Sequence, residues 1–320
     1  MLNSRLLSYL AIFFALGLHA EPLYWQATKG NLSFDIVGSI HVGKSSMYPL
    51  PSTLYERLAT SNGLIIEVDL SDLKAITYPI PSVTSQQILT TQQYRQLDNM
   101  AQRLKQNTDR LANLPPWSSA LQLQFLHLHQ LGYSAEQGVD LHFIRQAKQI
   151  GITLLPLETA QYQIDVLTNL PNDGQELLIA LLDEWENQHS MTECLLESWQ
   201  SGDSVKLEQL LKQTKMSAEM EDSLIIKRNH QWVDKLISPD FLPSSSGHYL
   251  VVVGTLHLVG KDNVLTLLQD QGFDLIQRNQ SQQATCFPAK QKISSGIAGG
   301  FSYAPIRLSY KQRPNRRITI

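Results

Sequence analysis

An imidazole three residues past a glycine occurs twice in this chain. The copies are Gly38-Ser39-Ile40-His41-Val42-Gly43 and Gly254-Thr255-Leu256-His257-Leu258-Val259-Gly260. Histidine ligates metals and carries protons near neutral pH. Each copy follows a run of strand-forming residues, Phe34 to Val37 and Tyr249 to Val253, so each imidazole is presented where ligands of sheet proteins collect. The glycines are expected to let the chain turn sharply at the strand ends. His41 and His257 are therefore expected to face one another across one site, the plain alternative being two hydrogen-bonded turn histidines.

Carboxylates stand at two other strand ends. Glu67 closes Leu64-Ile65-Ile66, where a charge is buried only with a partner, either a metal ion or an imidazolium; otherwise it caps a helix or turns to solvent. Asp69 shares its strand face by alternation and is the second choice. Glu158 repeats the Glu67 position after Leu154 to Leu157. Asp140 reads first as a helix N-cap, worth ~1 kcal/mol without any function, and His142 in the first turn of that helix reaches toward the sheet edge. Arg228 and Asn229 lie on a helix with Trp232 one turn on, where a surface pairing is the simplest account. His127 and His129 are two apart on a helix, roughly 200° around its axis, and read as structural. There is no His-Glu-x-x-His, Gly-x-Ser-x-Gly, phosphate-binding glycine loop or dinucleotide fingerprint.

The elements that must hold these residues alternate between strand and helix. A hairpin is expected from Leu23 to Val37 around Thr28-Lys29-Gly30-Asn31, then a helix after Pro51-Ser52, then the strand ending at Glu67. Residues 71–135 and 160–237 read as a large helical insertion, with the helix from Gly138 and the strand ending at Glu158 between its two parts. The second histidine strand is followed by a helix at 261–270 and a strand at Phe273 to Gln277. The expected fold class is α/β, with a mostly parallel or mixed central sheet and two strand-Gly-x-x-His units.

With 320 residues, 42% hydrophobic and 17% charged, the composition is that of a soluble globular protein. Arg5, the apolar run Leu6 to Leu18 and Ala20 form a leader too short for a bilayer that needs ~20 residues. Residues 1–20 are expected to be a signal peptide, 21–280 the α/β domain and 281–320 a basic, loosely ordered tail, with an edge strand at Phe301 to Leu308. Eight basic residues and no acidic one lie from Leu275 to Ile320, on a chain whose net charge is -3. Electrostatic contact of that tail with a membrane surface or a partner is expected; nucleic acid is not, since the tail lacks aromatic interleaving. No stable membrane span is expected after signal cleavage. Cys194 and Cys286, the two cysteines, either pin the tail to the helical region or remain thiols.

Taken in order, Gly38 to Gly43, Glu67-Val68-Asp69-Leu70, Gly138-Val139-Asp140-Leu141-His142-Phe143, Leu157-Glu158-Thr159, Arg228-Asn229 with Trp232, and Gly254 to Gly260 resemble the TraB/GumN family. The resemblance runs from about residue 23 to residue 278. That family is similar to the Tiki metalloproteases and, more distantly, to erythromycin esterases and haem-binding lipoproteins. The resemblance implies His41, Glu67 and His257 as the leading functional residues, with His142, Glu158, Arg228 and Asn229 behind them. The expectation is a periplasmic or secreted metal-dependent hydrolase, a peptidase acting on a peptide or protein substrate. His41 and His257 would hold a zinc, manganese or cobalt ion, Glu67 would be third ligand or general base, and Arg228 or Asn229 would stabilise an oxyanion. The alternatives are a metal-free, esterase-like hydrolase and a non-catalytic protein holding haem or another ligand on the same histidines.

Overall fold

The computed structural model describes residues 20–69, 76–214 and 216–286. The leader before Ala20, the segment 70–75 and the chain from 287 onward, with the expected edge strand, lie outside the described residues. The strands are β1 (Tyr24–Lys29), β2 (Leu32–Ser39), β3 (Leu64–Val68), β4 (Leu154–Glu158), β5 (Gly247–Gly254) and β6 (Asp274–Gln277). The helices run α1 (Ser52–Thr60), α2 (Ser85–Ile88), α3 (Thr91–Arg103), α4 (Thr108–Ala112), α5 (Pro116–Gln130), α6 (Val139–Ile150) and α7 (Ala160–Thr168). After them come α8 (Gln175–Asp183), α9 (Trp185–Gln200), α10 (Ser204–Gln213), α11 (Ala218–Glu221), α12 (Lys227–Ile237) and α13 (Val264–Asp270).

All six strands join one mixed sheet in the order β4-β3-β5-β2-β1-β6. Its centre is parallel: β3 pairs with β4 and β5, and β5 with β2. The expected hairpin sets Lys29 opposite Leu32, with Gly30 at a φ of 58° that suits glycine. Sequence alternation divides the core. Phe34, Ile36, Ile65, Tyr249, Val251 and Val253 pack against Leu97, Leu123, Leu178, Trp232 and Leu268 on one face of the sheet. Val37, Leu64, Ile66, Leu250 and Val252 pack against Leu54, Leu58, Phe143 and Trp199 on the other. β5 is buried on both faces, which explains its unbroken apolar run. Among the described residues no helix is long and apolar enough to cross a membrane.

Asp35 is the charged exception inside β2. Its carboxylate accepts the Tyr24 hydroxyl at 2.5 Å, pairs with His248 and lies 3.8 Å from Arg57 Nε. Burial alone would raise its pKa, but the hydrogen bonds from His248 and Tyr24 outweigh burial and hold the carboxyl below its ordinary value. A depressed carboxyl contributes stability that is complete above the unfolded value of ~3.9. That contribution is lost as pH falls through the folded value. Asp35→Asn should therefore cost about 3 kcal/mol at neutral pH and much less in acid. Urea unfolding at both pH values checks this, and an equal gap at each would contradict it.

Of the two arrangements open to the cysteines, the structure has the disulfide. Cys194 on α9 is bonded to Cys286, 92 positions further along the chain, with Cα atoms 5.2 Å apart. The start of the tail is fastened beside it: Gln282 N–H donates to Ser201 O at 2.8 Å, Ala284 N–H to Asp203 Oδ2 at 2.9 Å and Thr285 N–H to Glu197 Oε1 at 2.7 Å. Cys286→Ser should lower stability by about 2–5 kcal/mol, because a long loop of the unfolded chain is no longer closed. Thermal unfolding with and without reductant measures it; a melting point insensitive to both reductant and substitution would refute the prediction.

Candidate functional site

The four adjacent strands β4, β3, β5 and β2 run parallel, so their carboxyl ends open on the same edge of the sheet, the edge where such folds bind ligands. They deliver Glu158, Glu67, His257 and His41 in that order. Val68 lies opposite Glu158, and Ser39 opposite Gly254. The two Gly-x-x-His stretches, more than 200 residues apart in sequence, are thus neighbours in space.

His41 is 7% exposed and its Nδ1 meets Asp140 Oδ2 at 2.8 Å. Asp140 Oδ1 accepts the Ser39 hydroxyl at 2.6 Å. Burial would lower the pKa of His41, but the charge and hydrogen bond of Asp140 outweigh burial and lift it to about 9. Asp140 is not the N-cap expected from its position; Gly138 is. Docking of the α6 start on the first motif frees the carboxylate for His41. Val139 N–H donates to Ile40 O at 2.9 Å, and a Cβ on Gly138 would stand 2.4 Å from His41 O, an approach that only glycine permits.

His257, also 7% exposed, has its Nδ1 2.6 Å from Asn229 Oδ1, while Asn229 Nδ2 donates to Asp262 O at 2.9 Å. The second bond sets the amide so that its oxygen faces the ring, and His257 Nδ1 carries the proton. The ring lies 4.3 Å from that of Trp232. Burial and the nearby Arg228 charge hold His257 well below the ordinary histidine value, so it is neutral.

Arg228 is 3% exposed and is the junction of the cluster. Nε and Nη2 form a fork on Glu158, at 2.8 and 2.9 Å, and Nη2 also reaches Glu67 Oε2 at 3.0 Å. Nη1 donates to Leu224 O at 3.1 Å and lies 3.3 Å from His257 Nε2. Leu224 belongs to a turn of π-helix, Asp222–Ile226, directly before α12; such turns recur at functional sites. Trp232, one helical turn beyond Arg228, donates its indole N–H to Glu158 Oε1 at 2.7 Å. Glu67 Oε1 accepts Gly254 N–H at 2.6 Å. Burial raises the pKa of Glu67, and Arg228 and His41 oppose that rise only in part.

The sequence-read residues therefore separate into groups. His41, Glu67, Glu158, Arg228, Asn229 and His257 come together. Arg228 and Asn229 are buried, not a surface pair, and both ends of the Asn229 amide are committed to holding His257. His142 takes other partners, with Nε2 3.0 Å from the Tyr55 hydroxyl and its ring 4.5 Å from Tyr48. Asp69 lies past the end of β3, with Lys148 Nζ 3.8 Å away. The glycines also act differently from the sharp turn expected of them. Gly38 lies inside β2, and a Cβ there would stand 2.7 Å from Thr255 Oγ1 of the other motif, so the missing side chain lets the two motifs touch. A Cβ on Gly254 would lie 3.0 Å from Glu67 Oε1, 3.5 Å from His257 Cδ2 and 3.9 Å from His41 Nε2. Gly254 is thus the bare floor of the cluster. Sequence reasoning missed Ser39 and the part played by Asp140; Asp140 close after Gly138 was the one available signal.

The donor types suit a divalent ion. Both imidazoles have Nδ1 held by an oxygen, as in metal-ligating histidines, and a strand-end carboxylate stands beside them. Three of their inward atoms already face N–H groups, since Arg228 meets His257 Nε2 and Glu67 Oε2 while Gly254 meets Glu67 Oε1. Among the described residues no group of three or more His, Cys, Asp or Glu is spaced to hold a metal as it stands.

The family model for the TraB/PrgY/gumN family matches residues 23–277. The chain is 31% identical over 241 residues to the uncharacterized protein YbaP of Escherichia coli strain K12, covering 75% of this chain and 89% of that protein. It is 30% identical, over the same shares, to the uncharacterized protein YbaP of Shigella flexneri. No solved structure matches it.

Proposed function

The chain belongs to the TraB/PrgY/gumN family, and from that membership and the geometry of its sheet edge we propose that it is an exported hydrolase, a peptidase using a metal-activated water. The observation that carries this reading is the convergence of His41, Glu67 and His257 on the floor made by Gly254. His41 Nε2 and His257 Nε2 would hold the ion, of zinc, manganese or cobalt type, with the Glu67 carboxylate as third ligand or general base. Such an ion, when bound, acidifies a water and polarises a scissile carbonyl. Asp140 and Asn229 fix the two Nδ1 atoms and so turn both Nε2 atoms inward. Where Glu67 is not a ligand it would take the proton from water, and Arg228 balances the charges of Glu67 and Glu158 in a site shielded from solvent. The leader and the Cys194–Cys286 bond support export to an oxidising compartment.

Metal analysis of the purified protein, with His41→Ala and His257→Ala, tests the ion site. Bound metal is expected in the wild type and in neither variant; unchanged content in both variants would remove the site. A metal-supplemented peptide-library screen of wild type against Glu67→Ala tests the activity. A second reading, metal-free hydrolysis, is favoured by the N–H groups already facing Glu67 and His257. Cleavage that survives exhaustive chelation would select it.

A further inference from the structure

Between β3, which ends in the site, and α2, the chain includes the strap Thr77-Tyr78-Pro79-Ile80-Pro81-Ser82-Val83, fastened at both ends. Thr77 N–H and hydroxyl donate to Gln161 Oε1 at 2.8 and 3.2 Å, and Gln161 Nε2 donates back to Thr77 O at 3.0 Å. At the other end Ser82 N–H, the Ser82 hydroxyl and Val83 N–H converge on Asp173 Oδ2 at 2.7, 2.5 and 2.9 Å. Asp173 accepts them from a left-handed backbone, φ 49°, that non-glycine residues seldom adopt. Between the fastenings two prolines fix φ and extend the residues before them, Tyr78 and Ile80. Ile80 is 95% exposed and Tyr78 39%.

The fastening also locates the strap. Gln161 lies on α7, which begins two residues after Glu158; its neighbour Tyr162 donates its hydroxyl at 2.5 Å to Gln231 Oε1 of α12, the helix that carries Arg228. The strap is therefore tied at one end to the first turn of the helix that follows Glu158. We propose that it is a subsite for an extended peptide, with Ile80 and Tyr78 gripping an apolar side chain of that peptide. The prolines and paired fastenings keep the side chains extended before binding, which lowers the ordering cost of recognition. A lipid surface fits less well, because residues 76–84 carry no lysine or arginine to meet anionic headgroups.

This inference rests on the hydrolase reading for its biological sense, but binding tests it without turnover. Labelled ten-residue peptides, one with a central leucine and one with a central glutamine, are titrated by anisotropy against the full chain, Ile80→Ser and Ile80→Leu. The leucine peptide should bind Ile80→Ser about tenfold more weakly, Ile80→Leu should restore it, and the glutamine peptide should not distinguish the three. Equal binding of the leucine peptide to all three proteins would overturn the proposal. So would pelleting with phosphatidylglycerol vesicles that Ile80→Ser abolishes while peptide binding is unchanged, which would assign the strap to a membrane. Preference for the leucine peptide with no cleavage product by mass spectrometry upholds the subsite and removes the hydrolase reading alone.

Discussion

Arg228→Met should destabilise the protein by about 3–5 kcal/mol, the cost of leaving a buried charge without its partner. Here two carboxylates are left, Glu158 at 7% and Glu67 at 5% exposure, both in contact with this one guanidinium. Against a total stability of 5–15 kcal/mol typical of folded domains, such a loss unfolds a measurable fraction of the chain. The carboxylates can escape by taking protons, so the deficit should shrink in acid. Glu158→Gln in the same chain should recover part of it, because one of the stranded charges is then gone; a double-mutant cycle measures that coupling. Arg228→Lys should not rescue, since an ammonium cannot make the fork on Glu158 while reaching Glu67 and Leu224 O. A loss below 1 kcal/mol in denaturant unfolding would mean that the arginine is not the junction its contacts describe.

Gly254→Ala should do the reverse, sparing the fold and removing the chemistry. The new methyl would meet Glu67 Oε1 at 3.0 Å, so the carboxylate must give by a few tenths of an ångström, and it would occupy the floor between His257 and His41. Gly254 has an ordinary backbone, φ -52° and ψ 132°, which alanine adopts without strain. A misplacement of about 1 Å within a catalytic centre costs on the order of 100-fold in rate, and the methyl group on the floor adds its own bulk to the smaller shift of Glu67. Peptide cleavage and metal content should both fall to the level of His257→Ala while the melting temperature stays near that of the wild type. Full activity in Gly254→Ala would place the reacting atoms elsewhere.

Much of this arrangement is legible in the sequence. The hairpin, the strands ending at Glu67 and Glu158 and the paired histidine strands all follow from runs of apolar and β-branched residues punctuated by glycine, proline and Asn-Gly signals. The pairing of His41 with His257 followed from repetition of a motif behind similar strands. What stayed hidden depends on distances between segments far apart in the chain. Asp140 looks like a helix cap because capping is a local rule, whereas its bond to His41 arises from the close approach of Gly138 to the His41 carbonyl. Gly38 and Gly254 suggested turns because turns are the commonest local use of glycine. Their use here is to lack a side chain where another segment arrives. The first turn of its helix and the family resemblance both point His142 toward the site, yet it lies two residues from Asp140, about 200° around the axis, and takes Tyr48 and Tyr55 as partners.

The place of β5 between β3 and β2 bears on how this protein is made. Both of its neighbours are synthesised well before it, so a growing chain holds a sheet with an empty slot and two unpaired edges. Closing that slot brings together residues more than 200 positions apart, a high contact-order event expected late in folding. The same step carries in Gly254 and His257. Until it happens, His41 and Glu67 have no common floor, and the site is incomplete. Latency is thus built into the order of the strands, because the site is complete only when β5 has taken its place between β3 and β2.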